Sequence, residues 1–300
     1  MTGITLLGGS VGQEIVMRSS MPATPLWSTS VMMETPEIVG QVHSDYFDAG
    51  ATVATTNTYA VHRDRLAPVH LEPAFERLIE TALEQAERAV SAHPQSTARI
   101  AGSLGPLGAS YRPDICPPAD QARGLYAELV RLMQDRVDFF IIETVASIEH
   151  AKGALLGAAD TTKPVWLAVS VQDEDGTRLR SGEPLQDLSE VIEKFAPDAV
   201  LVNCSRPEVV LSALEVVAQF GKPFGAYANG FTQISDAFLQ DRPTVDALTA
   251  RDDLAPDAYA DFVMTWIEQG ATIVGGCCEI GPAHIAEMAR RIVASGYTVV

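Results

Sequence analysis

"ATIVGGCC", residues 271–278, is an apolar, β-branched run that stops in two adjacent cysteines. A strand covered by helices on both faces reads this way, as near-continuous Val, Ile and Ala without polar alternation. Seven further runs share the form: "ITLLGG" (4–9), "ATVATTNT" (51–58), "RIAGSLG" (99–105), "DFFIIET" (138–144), "PVWLAVSV" (164–171), "DAVLVNC" (198–204) and "PFGAYAN" (223–229). Amphipathic stretches lie between them, among them "PEIVGQVHSDYFDAG" (36–50), "PAFERLIETALEQAERAVSAH" (73–93), "RGLYAELVRLMQDR" (123–136) and "PDAYADFVMTWIEQG" (256–270). Several open on proline and close on glycine, as helices do. Eight strand–helix units predict an α/β chain folded as one (β/α)8 TIM-type barrel, a single domain over residues 1–300. A doubly wound open sheet is the alternative, because periodicity does not show closure.

The carboxyl ends of these runs carry residues a core would not choose: Asn57, Ser103, Glu143, Asn203 with Cys204, Asn229, and Cys277 with Cys278. In a barrel all those ends lie on one face, where the loops converge and active sites form. The segment 230–255, after the seventh run, is long enough to serve as a rim or lid.

The 300 residues are 47% hydrophobic, enough for a large core. Their 39 acidic and 21 basic side chains leave a net charge of −18, a field that repels phosphate backbones and anionic membranes, so neither nucleic acid nor a membrane is expected as a partner. The start lacks a secretory pattern and no run reaches the roughly 18 apolar residues of a membrane span, so a cytoplasmic location is expected. In such a reducing compartment four cysteines serve metals or chemistry more readily than a disulfide scaffold.

Cys277 and Cys278 could simply fill a barrel mouth, since free cysteine is often buried. Cys204 changes the reading. It stands at the same position on another strand, so three sulfurs can converge, hold Zn2+ and leave one tetrahedral position open. Three anionic sulfurs weaken zinc as a Lewis acid for hydrolysis, but a thiol bound in the fourth position loses its proton and keeps its nucleophilicity. That chemistry is thiol alkylation. Cys116, in the loop after the third strand, has no partner of this kind. The glycines of "GGSVGQE" and "GSLGPLG" lack the G-x-G-x-x-G spacing of a dinucleotide site.

In order, "LLGGSVGQEI", "VHSDYFDAGATVATTNTY", "GSLGPLG", "IIETVASIEHA", "RSGEPL", "LVNCSRPEVV", "YANG" and "IVGGCCEIGPAHI" resemble the homocysteine S-methyltransferase family over about residues 4–294. The resemblance implies that Cys204, Cys277 and Cys278 bind zinc, that the acceptor thiolate takes the fourth place, and that Glu143 receives the acceptor's ammonium. Asn203 would orient the sulfur shell. Asn57, Ser103 and Asn229 would meet substrate or close turns, and His284 would pack or cap the last helix. Against the family pattern, Gly8-Gly9 stands for the usual Asp-Gly, Gly12-Gln13-Glu14 for Gly-Thr-Glu, Glu279-Ile280 for Gly-Thr, and Ala228 for Pro.

The expected activity is zinc-dependent methyl transfer from a small sulfonium or quaternary ammonium donor to a thiol, homocysteine foremost, giving methionine. The rivals are a different acceptor thiol, a separate corrinoid protein as methyl source, and a zinc-binding barrel without turnover. An aldolase-like site is disfavoured because no lysine ends a predicted strand. Oligomeric state is not legible.

Overall fold

The computed structural model describes residues 2–300 except 22, 23, 25, 95, 96 and 241–246. Eight strands form the wall: β1 (Gly3–Leu6), β2 (Val53–Thr55), β3 (Arg99–Leu104), β4 (Phe139–Val145), β5 (Val165–Val169), β6 (Ala199–Asn203), β7 (Phe224–Ala228) and β8 (Ile273–Gly276). They pair in parallel in chain order from β2 to β8, and β8 then pairs with β1. A parallel bridge from Leu7 to Val53 and the Thr52 N–H donated to Leu6 O (2.8 Å) join β1 to β2 and close the ring. The expected barrel is the observed one. A ninth strand that the sequence did not signal, β9 (Thr298–Val299), lies along the outer side of β1. Two residues are too short to show a period.

The four quoted helical stretches fold as α3 (Glu37–Asp48), α5 (Phe75–Ala92), α6 (Ala119–Met133) and α10 (Pro256–Glu268). Between β1 and α3 lie α1 (Val11–Met17) and α2 (Ser28–Glu34), each of seven residues and without a readable apolar stripe. The remaining helices are α4 (Arg63–Leu66), α7 (Ile148–Gly157), α8 (Ser189–Phe195), α9 (Pro207–Val217) and α11 (Pro282–Ala294). None of the described helices is long and apolar enough to cross a membrane.

Two apolar cores follow from strand alternation. Outward residues such as Phe140, Ile142, Val200 and Val202 pack against the helices. Inward residues such as Leu7, Val53, Ala101, Phe139, Ile141, Trp166, Leu201, Tyr227 and Ile273 fill the barrel, where the Phe139 and Trp166 ring centres lie 4.2 Å apart with their planes tilted by 37°. That inward phase sets the site. Ser103 follows Ala101 by two residues, Glu143 follows Ile141 and Asn203 follows Leu201, so each enters the barrel above an apolar plug. Cys277, four residues after Ile273, falls on the same phase.

Candidate active site

Above the plug opens a cavity of about 950 Å³, counting the part open to solvent. Its lining includes Asn57, Ser103, Glu143, Cys204, Cys277 and Cys278, six of the eight side chains expected at the site. No lysine, arginine or histidine is among its described lining residues, and Glu143 is their one carboxylate. Of the seven non-glycine residues with positive φ among the described residues, Trp27, Tyr111, Thr144 and Cys204 line this cavity and Glu279 follows its paired cysteines. Backbone strain of this kind concentrates where a fold holds a functional arrangement.

Glu143 is held by two neutral donors. Ser103 Oγ donates to Oε2 (2.5 Å) and Tyr227 OH to Oε1 (2.9 Å). Burial pushes its carboxyl above the usual carboxylate range, and the two hydroxyls pull partly back. No cationic side chain among the described lining residues neutralises it, so its charged form is open to a ligand. The chain bulges beside it: the β4–β5 register shifts between Ile142 and Val145, and Thr144 has φ 58°. Asn203 supports that bulge, accepting the Thr144 N–H at Oδ1 (3.0 Å) and donating from Nδ2 to Thr144 Oγ1 (3.2 Å). Asn203, expected to orient the sulfurs, makes these side-chain bonds to Thr144. Its amide is spent on the strained turn next to Glu143, and it stands outside the cavity lining.

The three expected sulfur positions come together, but not as three thiols. Cys204 and Cys277 are joined as a disulfide with Cα atoms 5.7 Å apart, and Cys278 is free. Among the described residues no group of three or more His, Cys, Asp or Glu side chains is assembled as a metal cage. Of the three sulfurs expected to hold zinc, two are bonded to each other in this arrangement and one is a thiol. The Cys278 thiol is pushed up to about 12 by burial first and by Glu279 second, so without a nearby positive charge it stays protonated. The geometry nevertheless fits a soft cation once the disulfide is reduced. The cysteines enter from two strand ends, β6 and β8, and all three line the same cavity as soft sulfur donors.

Asn229 itself is a turn residue. Its Oδ1 accepts the Phe231 N–H (3.2 Å), and the side chain does not line the cavity. Asn57 does line it, with Ser28 Oγ on its Oδ1 (2.6 Å) and only the weak Met32 Sδ acceptor (3.5 Å) on its Nδ2. His284 caps α11, accepting the Gly281 N–H (3.2 Å), and its other ring nitrogen meets Leu254 O (3.1 Å). Cys116 sits apart, its thiol pushed up to about 11 by burial. Gly8 lines the cavity, and a Cβ built there would meet the Tyr46 ring at an ordinary 3.5 Å.

Four aromatic side chains that the sequence did not single out complete the cavity: Trp27, Tyr59, Tyr111 and Tyr227. Tyr227 was detectable from strand phase, two residues before Asn229 on the inward side of β7. The segment 230–255, expected as a rim or lid, contributes no described residue to the cavity lining, and its residues 241–246 lie outside the described ones; its other residues pack behind the cysteines. Phe231 pairs with Ala250, and Phe231, Ile234 and Phe238 pack in one cluster with Cys204, Cys277 and Cys278. The segment is tied down by Asp173, which accepts the Ile234 N–H (3.0 Å) and pairs with Arg180, whose guanidinium lies 5.2 Å from the centre of the Tyr111 ring.

A family model described as homocysteine S-methyltransferase matches residues 5–292. A Bacillus subtilis protein, homocysteine S-methyltransferase YbgG, is 28% identical over 309 residues, covering 95% of this chain and 93% of the relative. An Escherichia coli homocysteine S-methyltransferase is 28% identical over 307 residues, covering 96% and 95%. Crystal structures of the E. coli homocysteine methyltransferase MmuM in metallated and in oxidised form each superpose with a TM-score of 0.79 at 27% identity, over 96% of both chains.

Proposed function

The chain belongs to the homocysteine S-methyltransferase family and is a methyltransferase, and on that premise we propose that it moves a methyl group from a small sulfonium or quaternary ammonium donor to the sulfur of homocysteine, giving methionine. The observation that carries this reading is the meeting of Cys204, Cys277 and Cys278 on the wall of a cavity whose one lining carboxylate is Glu143. Reduced, the three cysteines would hold zinc, which supplies the positive charge that keeps an acceptor thiol ionised near neutral pH. The metallated and oxidised forms of MmuM support a site able to exist both ways.

In this reading Glu143 receives the acceptor's ammonium, with Ser103 and Tyr227 fixing the carboxylate and Asn203 fixing the turn that carries it. The acceptor sulfur attacks the donor's methyl carbon in line. A new S–C bond forms, the old bond to sulfur or nitrogen breaks, and its electron pair leaves with the donor as a neutral product that needs no acid. Trp27, Tyr59 and Tyr111 line the cavity with apolar ring surface, and Phe231 and Phe238 pack behind its cysteines, which would keep water from the reacting sulfur. Gly8 favours a second reading, transfer to a thiol without an α-amino group, because the cavity offers one carboxylate and not two.

The test is thiol-dependent methyl transfer by reduced, zinc-supplied protein, with homocysteine and with 4-mercaptobutanoate, against sulfonium and betaine-type donors. Methionine formation supports the reading. Zinc-loaded protein inactive with every pair would make this a barrel that binds metal without turnover.

A further inference from the structure

Two of the departures from the family pattern lie 266 residues apart in sequence and touch in space. Gln13, on α1, donates from Nε2 to Glu279 Oε1 and accepts the Glu279 N–H at Oε1 (2.8 Å). Ser10 Oγ donates to the same Gln13 Oε1 (2.8 Å), and the Glu279 N–H, which can only donate, fixes the orientation of the amide. Glu279 follows Cys278 directly and has φ 66°, a backbone region in which glycine is at ease and glutamate is not. The turn from Cys277 to Ile280 is also held by main-chain bonds, Gly230 N to Cys278 O (2.8 Å), Ile280 N to Cys277 O (3.2 Å) and Ser10 N to Ile280 O (2.9 Å), by the Tyr46 hydroxyl donated to Ile280 O (3.1 Å), and by the Cys204–Cys277 bond, but none of these engages the residue at 279.

We propose that Gln13 and Glu279 form a side-chain clamp that positions the Cys277–Cys278 turn, and with it the Cys278 sulfur, on the cavity wall. A residue with a side chain at 279 is forced into a left-handed conformation. The two-point contact with Gln13 holds that conformation from both its backbone N–H and its carboxylate. A threonine at 13 would be too short to reach both, and a glycine at 279 would have no carboxylate to reach, so the two substitutions make sense only together. Outer contacts of this kind fix ligand orientation and typically change metal affinity by about 10- to 100-fold. The clamp rests on the zinc reading for one readout only, since a fixed sulfur also shows in its own reactivity.

The full chain is reduced and studied in two states. Zinc-loaded protein is mixed with excess chelator and zinc release is timed; metal-free protein is treated with iodoacetamide and labelling of Cys278 is followed by peptide mass. Gln13→Ala and Glu279→Gly should each accelerate both processes roughly tenfold. Glu279→Gly separates positioning from folding, because glycine relieves the left-handed backbone: its melting temperature should stay near that of the parent while the sulfur loosens. The exchange Gln13→Glu with Glu279→Gln should bring both rates back to within about twofold of the parent, since a carboxylate at 13 still accepts from Ser10 and the 279 N–H and now receives the amide of 279. Gln13→Glu alone, which sets two carboxylates face to face, should not. Parent rates in both single variants, or an exchange no better than Gln13→Ala, would overturn the clamp. If the parent chain takes up no zinc, the metal reading falls and the labelling arm alone decides the clamp.

Discussion

Gly8→Asp tests how the acceptor is held. The cavity offers an ammonium one carboxylate, Glu143, whose lone pairs already accept from Ser103 and Tyr227. A second carboxylate on the β1 end of the same cavity would add a charge-assisted hydrogen bond worth about 1.5–3 kcal/mol, or roughly 10- to 150-fold in KM. The backbone permits the change, since Gly8 lies outside the left-handed region and its Cβ would rest 3.5 Å from Tyr46 without overlap. Its neighbour does not: a Cβ on Gly9 would run into Ile280 O, so the aspartate is admissible at 8 only. The assay measures KM for homocysteine and for 4-mercaptobutanoate in parent and variant, with thermal melts to register the cost of a second buried charge. Homocysteine should gain and the amine-free thiol should lose, since its own carboxylate is repelled. An unchanged KM for homocysteine in a folded variant, or parallel changes for the two thiols, would refute the assignment of Glu143 to the ammonium.

Cys204→Ala, Cys277→Ala and Cys278→Ala should each leave the chain without stoichiometric zinc and without turnover, read by metal analysis of reduced protein; full occupancy in any one removes that cysteine from the shell. Tyr227→Phe should move the acid limb of the kcat/KM–pH profile upward. The tyrosine hydroxyl holds the raised carboxyl of Glu143 down, and the ionised form binds the ammonium, so activity is lost as pH falls through a now higher value; an unmoved limb would uncouple the two residues. His43 is buried with its folded pKa lowered from 6.5 to about 4 by burial. A depressed base is protonated first in the unfolded chain, so its contribution is fully present above pH 6.5 and is lost as pH falls toward 4, by up to about 3 kcal/mol. Urea unfolding of parent and His43→Leu between pH 7 and 4.5 should show the smaller pH dependence in the variant.

How far the sequence led is clearest along single strands. Phe139, Ile141 and Glu143 are an inward series, and the sequence shows both the apolar members and the polar end, so the barrel and its carboxylate were legible together. The same logic reached Ser103 and the cysteines. It did not reach the Thr144 contact of Asn203, which shares that phase, because the positive φ of Thr144 is a tertiary feature that leaves no periodic mark. It passed over Tyr227, whose ring reads as core until its hydroxyl is seen on Glu143. Pairing between distant departures was the least legible. Gln13 and Glu279 each looked like a lost motif residue when compared singly with the family, and only their contact shows one change answering the other. Gly8 has no such answer among the described cavity-lining residues: the Glu279 carboxylate that might have replaced an aspartate is engaged by Gln13 and does not line the cavity. In the proposed reading the acceptor end of the site is thus altered on the β1 side while Cys204, Cys277, Cys278 and Glu143 are kept, so any divergence of this chain from homocysteine should appear in which thiol it accepts before it appears in the chemistry of transfer.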